Sequence, residues 1–268
     1  MGNVPQKSLG LLDATLLVAG SMIGSGIFIV SSIMMNDIGS PAWMLVLWVL
    51  TGIITILAAL SYGELAGMMP NAGGQYVYIQ RAFGRLPSFL YGWTVFTVIQ
   101  TGVIAAVAVA FAKYTAVFFP SLNDVMLDIS FLKLTYGHVV AIGSVVILTY
   151  SNAQGLKNGK IIQFVFTSAK LFALFALIIL GIYLGFKTNV FALNMADAWK
   201  AFKTTSNEAG VISTTPLIGW ALVGALGATI INSLFSADAW NNVTFIAGEI
   251  RDPKKNIPRS LLLGTLIV

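Results

Sequence analysis

Two long apolar segments of this sequence are each interrupted near the middle by glycine or polar residues. Residues 20–26 read Gly-Ser-Met-Ile-Gly-Ser-Gly, and residues 236–241 read Ser-Ala-Asp-Ala-Trp-Asn. Because lipid offers no hydrogen bonds, an open backbone persists at membrane depth only where protein buries it or where it lines a polar cavity. A pair of interrupted helices therefore predicts a binding site for a polar solute near the middle of the membrane.

The first interruption has the composition of an anion site. Gly24 and Gly26 let the backbone leave helical geometry, and a new half-helix then begins around Ile27. Its unpaired N–H groups and positive dipole end suit a carboxylate, and Ser21 or Ser25 can add a hydroxyl donor. The alternative is that Gly20 and Gly24, spaced as GxxxG, only permit close helix packing.

The second interruption suits an ammonium group. An unwound turn between Ser236 and Asn241 exposes carbonyl oxygens, which accept hydrogen bonds from a cation. A carboxylate site facing an ammonium site describes an α-amino acid. Asp238 adds its own charge, orients the asparagines that follow it, or caps the second half-helix; the sequence leaves these roles open.

Lys170 is a charged residue deep in another apolar segment. At about 1.5 Å per residue, its Cα lies roughly 15 Å from Lys160 at the start of that segment. We expect this amine to face the protein interior and to contact carbonyls or a carboxylate. A purely structural role, joining helices, is the alternative.

The elements that must position these residues are membrane-spanning helices. The chain is 57% hydrophobic and 9% charged, whereas soluble domains are typically about 25% charged. Segments of about 20 apolar residues predict an all-α, multi-pass membrane protein with helices near 11–31, 42–62, 86–119, 138–151, 160–186 and 216–248, and a seventh from about 257. A short interfacial helix is predicted within residues 64–84.

Other classes of function fit poorly. The net charge is +5, but the basic residues lie in short loops between apolar runs, so nucleic acid is not an expected partner. Without Cys the chain forms no disulfide to a partner subunit and no thiolate metal site. The single His138 has no metal-ligand spacing around it, and no nucleophile motif is found, so we expect neither an enzyme nor a cofactor.

Basic residues are divided unequally between the loops of the two membrane sides, which predicts a cytoplasmic N-terminus. The richer side carries Lys7, Arg81, Arg85, Lys157, Lys160, Arg251, Lys254, Lys255 and Arg259. Residues 260–268 begin a helix that is too short to span, so we expect C-terminal helices of the same protein to be missing from this chain.

Several motifs, in this order, resemble those of the amino acid, polyamine and organocation (APC) transporter superfamily, specifically its L-amino acid transporter branch. They lie at residues 20–28, 61–65, 70–76, 169–171, 240–245, 248–250 and 253–259. The resemblance implies a LeuT-like fold of two inverted five-helix repeats plus two further helices. Residues 1–190 then form the first repeat, and residues 191–268 form helix 6 and the start of helix 7, with helices 1 and 6 discontinuous.

The resemblance also implies roles for individual residues. The backbone of residues 24–27 would bind the substrate carboxylate, the carbonyls of residues 235–238 would bind its amino group, and Phe235 would be the gate. Lys170 would place its amine where sodium sits in sodium-coupled relatives, which implies sodium-independent exchange. The implied substrate-binding residues are Ile23, Gly24, Ser25, Gly26, Ile27, Phe235, Ser236, Ala237 and Asp238.

Two positions depart from the pattern of this branch. Ala237 stands where an aromatic residue is common, and Ala239 stands where glycine is common, so side-chain preference is less defined than the amino acid backbone site. The animal members pair with a glycoprotein through a disulfide, which this chain cannot form. A prokaryotic carrier that acts alone therefore fits better.

The function expected from the sequence is alternating-access transport of L-amino acids, with neutral side chains, across the plasma membrane (the inner membrane of a bacterial cell). A channel-like pore is the first alternative, and it would need a continuous polar face on several helices rather than polarity at two interruptions. A truncated fragment that does not transport is the second.

Overall fold

A computed structural model describes residues 7–129, 132–154, 156–206 and 212–268 as a predominantly helical chain. The α-helices are α1 (Leu11–Met22), α2 (Gly26–Ile38), α3 (Pro41–Met68), α4 (Gln75–Phe83), α5 (Arg85–Thr94), α6 (Gln100–Phe118), α7 (Tyr136–Ala153), α8 (Leu156–Lys187), α9 (Val190–Ala196), α10 (Trp220–Ser236) and α11 (Pro253–Ile267). A π-helical turn (Val95–Ile99) joins α5 to α6, and 3-10 helices cover Pro120–Asn123 and Trp240–Glu249.

Among the described residues, five stretches are long and apolar enough to cross a membrane. They are Leu11–Ile38, Pro41–Met68, Arg85–Phe118, Gly159–Lys187 and Trp220–Glu249. The predicted all-α, multi-pass membrane fold is therefore confirmed. Inverted symmetry between two repeats, and the division of the chain at residue 190, remain predictions.

Local signals explain where α2 ends and α3 begins. Gly39 adopts a left-handed conformation, with φ of 53°, and its amide donates to Met35 O, which is the common way to end a helix. Ser40 then accepts a hydrogen bond from the amide of Trp43, and Pro41 occupies the first helical position. Proline is favoured there because its missing N–H would be unpaired in any case.

The chain divides into two compact units, residues 1–75 with 163–268 and residues 76–162. In the first unit, α11 packs against both α1 and α3, and the 3-10 helix Trp240–Glu249 packs against α1 and α11. In the same unit, α10 packs against α2 and α3. In the second unit, α6 packs against α7 through the buried alanines Ala108, Ala112 and Ala141.

The halves of the two interrupted helices thus fall into separate packing groups. The buried residues Val30, Met34 and Ile38 of α2 form a cluster with Leu47 of α3, on which α10 residues pack. The second packing group contains α1, α11 and the 3-10 helix Trp240–Glu249. Helix α3 packs against both groups and therefore links them.

Two β-hairpins lie where no strand was predicted. Strands β1 (Val125–Ile129) and β2 (Leu132–Thr135) pair antiparallel, as do β3 (Phe202–Ser206) and β4 (Ile212–Pro216). Helix α3 also extends to Met68, so the short helix expected within residues 64–84 is α4 and begins only at Gln75.

Candidate substrate site at two helix breaks

The first apolar span is open between α1 and α2. Helix α1 ends at Met22, Ile23 has φ and ψ of −76° and 88°, and α2 begins at Gly26. The amide of Gly24 donates to Met22 O at 2.9 Å, which closes a tight turn, and Phe28 N donates to Ser25 O at 3.2 Å. The break is therefore a short bend rather than a continuation of the helix.

This bend leaves backbone donors free at the start of α2. None of the amides of Ser25, Gly26 and Ile27 donates a hydrogen bond within the described part of the chain. Gly24 and Ser25 are exposed, whereas Ile23 is fully buried. Three convergent N–H groups at the positive end of a helix are suited to bind a carboxylate.

The sixth span is open between α10 and the 3-10 helix. Helix α10 ends at Ser236, and Ala239 adopts a left-handed conformation with φ of 70°. The amide of Asp238 donates to Phe235 O at 3.3 Å. The carbonyls of Ser236, Ala237 and Asp238 accept no backbone hydrogen bond among the described residues, so they are available as acceptors.

The two breaks touch each other. A Cβ added at Gly26 would lie 2.9 Å from Ser236 Oγ and 3.3 Å from Ser236 Cα, so the two backbones approach as closely as glycine allows. Ser236 Oγ is buried and has no hydrogen-bond partner in the described structure. Free amides and free carbonyls therefore lie side by side, as the two ends of a zwitterion require.

Lys170 reaches the first break from α8. Its Nζ donates to Gly20 O at 3.2 Å, in the last turn of α1. Carbonyls in the last turn of a helix have no partner within the helix, and the dipole there favours a positive charge. Lys170 therefore contacts a carbonyl at the opened end of α1, and its role in transport stays a prediction.

The alternative interpretation, in which the GxxxG glycines only permit close helix packing, holds for Gly20 but not for Gly24. A Cβ at Gly20 would overlap Thr167 Oγ1 and Gln163 Nε2, whereas nothing lies within 4 Å of a Cβ at Gly24. Gly20 thus allows α1 to approach α8, and Gly24 borders open space. Gln163 and Thr167 were not predicted, although with Lys170 they form a polar stripe at helical spacing in an otherwise apolar helix.

The remaining predicted site residues are less enclosed. The side chain of Phe235 is 77% exposed, so it covers no ligand space among the described residues, and its role as a gate stays a prediction. The N-cap of the 3-10 helix is Ala239, without a side-chain cap, so the structure gives no support to Asp238 as a cap. The exposed Asp238 carboxylate also forms no ion pair within the described residues.

An aromatic contact holds the start of the 3-10 helix. Trp240 packs edge-on against Tyr62 of α3, with ring centroids 5.0 Å apart. The hydroxyl of Tyr62 accepts a hydrogen bond from Gln75 Nε2 at 2.8 Å. Trp240 is therefore a packing residue that anchors the second half-helix beside the break.

The chain preceding α1 is tied to the far end of the 3-10 helix. Residues 7–10, the N-terminal strap, pair with residues 249–251 through a parallel bridge between Leu9 and Ile250. Ser8 N and Leu9 N both donate to Glu249 O at 3.1 Å, and Arg251 N donates to Leu9 O at 2.9 Å. The start of α1 and the end of the 3-10 helix are thus held together.

Known proteins resemble this chain over nearly its whole length. A sequence model of the amino acid permease family matches residues 9–268. The b(0,+)-type amino acid transporter 1 of Mus musculus is 29% identical over 264 residues, which cover 98% of this chain and 49% of the relative. The large neutral amino acids transporter small subunit 2 of Homo sapiens is 30% identical over 263 residues, or 98% of this chain and 45% of the relative.

A third relative, the Asc-type amino acid transporter 1 of Mus musculus, is 28% identical over 264 residues. The chain spans about half the length of the curated relatives that it matches. The match to the family covers both breaks and the helix that carries Lys170. With its multi-pass helical architecture and its two opened helices, the chain belongs to the amino acid permease family.

Proposed function

We propose that the protein of which this chain is part carries L-amino acids, with a preference for neutral side chains, across the plasma membrane by alternating access. The observation that carries the proposal is the contact between the two breaks at Gly26 and Ser236. It brings free amides and free carbonyls together at one place. The relatives are named as amino acid transporters, which supports the same substrate class.

The substrate carboxylate binds the amides of Ser25, Gly26 and Ile27, because the amide of Gly24 is already paired with Met22 O. The substrate ammonium binds the carbonyls of the second break. Ile23 supports the first turn from its buried position, and Gly24 leaves room for the ligand. Phe235 closes over the occupied site. The Asp238 carboxylate faces the ammonium group of the ligand.

Transport is sodium-independent exchange, and the N-terminus is cytoplasmic. The ammonium of Lys170 at Gly20 O supplies a fixed positive charge beside the first break. A cation cofactor is not needed at a place where the protein provides its own charge. The absence of Cys from the sequence fits a carrier without a disulfide-linked subunit.

Counterflow in proteoliposomes tests the proposal. Vesicles loaded with an unlabelled neutral amino acid should accumulate the labelled one equally in sodium and in choline buffer. Lys170→Ala should lower the exchange rate about tenfold or more, because a charge-assisted hydrogen bond is lost. Lys187→Ala, at the exposed end of the same helix, is the matched control.

Accumulation that requires sodium would refute the proposed independence, and uptake by Lys170→Ala at the control rate would refute the role of the amine. Labelled solute that equilibrates in empty vesicles as fast as in loaded ones would favour a pore over an exchanger.

A further inference from the structure

A cavity in the second unit lies between the end of α6 and the start of α7, apart from the helix breaks. Its volume is about 200 Å³. Ala112 and Ala116, both buried, form part of its apolar floor. Lys113, Asn123 and His138 contribute polar groups to its lining. The cavity thus combines an apolar base with a rim of hydrogen-bond donors.

The hydrogen bond that His138 Nδ1 accepts identifies the other ring nitrogen, Nε2, as a donor. The amide of Thr135 donates to His138 Nδ1 at 3.0 Å. Because a backbone N–H can only donate, Nδ1 must be the acceptor, and the neutral ring carries its proton on Nε2. No carboxylate lines this cavity, and Lys113 forms no ion pair in the described part of the chain.

The cavity lies at the end of a spanning segment, where lipid headgroups are expected. It lies where the span Arg85–Phe118 ends. Exposed aromatic rings surround this end of the unit: Phe118, Phe119, Tyr114 and Tyr136 are each at least 48% exposed. Exposed aromatic residues at the end of a span mark the boundary between hydrocarbon and water.

We propose that this cavity binds the phosphate group of an anionic phospholipid. Lys113 supplies the positive charge, Asn123 and His138 Nε2 donate to the phosphate oxygens, and the alanine floor contacts the glycerol and the first carbons of the chains. An anion matches a site with a cation and neutral donors but no acid. The apolar floor favours a lipid over free inorganic phosphate.

The test uses the full chain purified in a neutral detergent. Phosphatidylglycerol, phosphatidylcholine and inorganic phosphate are added separately, and bound lipid is counted by native mass spectrometry while thermal unfolding is followed. We expect phosphatidylglycerol to bind and to raise the unfolding temperature. Lys113→Gln should weaken its apparent affinity about fivefold, since the charge is exposed and partly screened.

Lys133→Gln is the matched control, because it removes the same charge from the neighbouring strand β2, outside the cavity. Asn123→Ala removes a rim donor without changing the charge and should weaken binding by a smaller factor. The proposal fails if Lys113→Gln and Lys133→Gln bind phosphatidylglycerol alike. It also fails if phosphatidylcholine binds as tightly, or if inorganic phosphate alone gives the full stabilisation.

Discussion

At the scale of single residues, the proposed substrate site consists of backbone atoms more than of side chains. Ser25, Gly26 and Ile27 offer amides, and Ser236 and Ala237 offer carbonyls. Such groups recognise the part that all α-amino acids share and are indifferent to the side chain. This explains why the sequence indicates the class of substrate while leaving the individual amino acid open.

The open space beside Gly24 gives a prediction at this scale. Gly24→Ala meets no atom within 4 Å, so the unfolding temperature should not fall. If the ligand occupies this space, the added methyl group should raise the half-saturation concentration for transport about tenfold.

Gly52→Ala is the matched control, since Gly52 of α3 also has no atom within 4 Å of an added Cβ and belongs to neither interrupted helix. Equal transport kinetics in the two variants would show that the ligand does not occupy the space beside Gly24.

At the scale of elements, the breaks were located correctly from sequence because each concentrates glycine or polar residues within a few positions of an otherwise apolar segment. Their contact was not predictable, since it depends on how α2 and α10 pack. The hairpins were missed because their strands are short and lie in connecting segments. Ser213, Thr214 and Thr215 are β-branched or polar in a pattern that also fits a loop.

The left-handed residue of the second break gives a prediction for that element. Ala239 has φ of 70°, a conformation that costs a residue with a Cβ about 1 kcal/mol. Ala239→Gly should therefore raise the free energy of unfolding by about 1 kcal/mol, seen as a higher unfolding temperature.

Ala237→Gly is the control, because Ala237 has φ of −92° and pays no such cost. This change should leave the free energy of unfolding unchanged or lower it. Glycine increases the conformational entropy of the unfolded chain and relieves no strain at this position. Equal shifts in both variants would mean that the break is not strained at Ala239.

At the scale of the whole molecule, the charge distribution predicts the orientation in the membrane, and the described structure makes it testable. This chain contains no Cys, so a single cysteine introduced into it is its one reactive thiol. Lys7 and Lys203 are both exposed. A membrane-impermeant maleimide applied to intact cells should label Lys203→Cys and should label Lys7→Cys only after the cells are permeabilised. The reverse pattern would invert the proposed orientation.

Helix α1 is held at both of its ends. The N-terminal strap fixes its start to residues 249–251, and Lys170 holds its last turn at Gly20. Tilting this twelve-residue rod requires that one of the two attachments be released while the other serves as the pivot. A change in the tilt of α1 would therefore be seen as the loss of one of these two contacts, either the bridge at Leu9 or the hydrogen bond at Gly20.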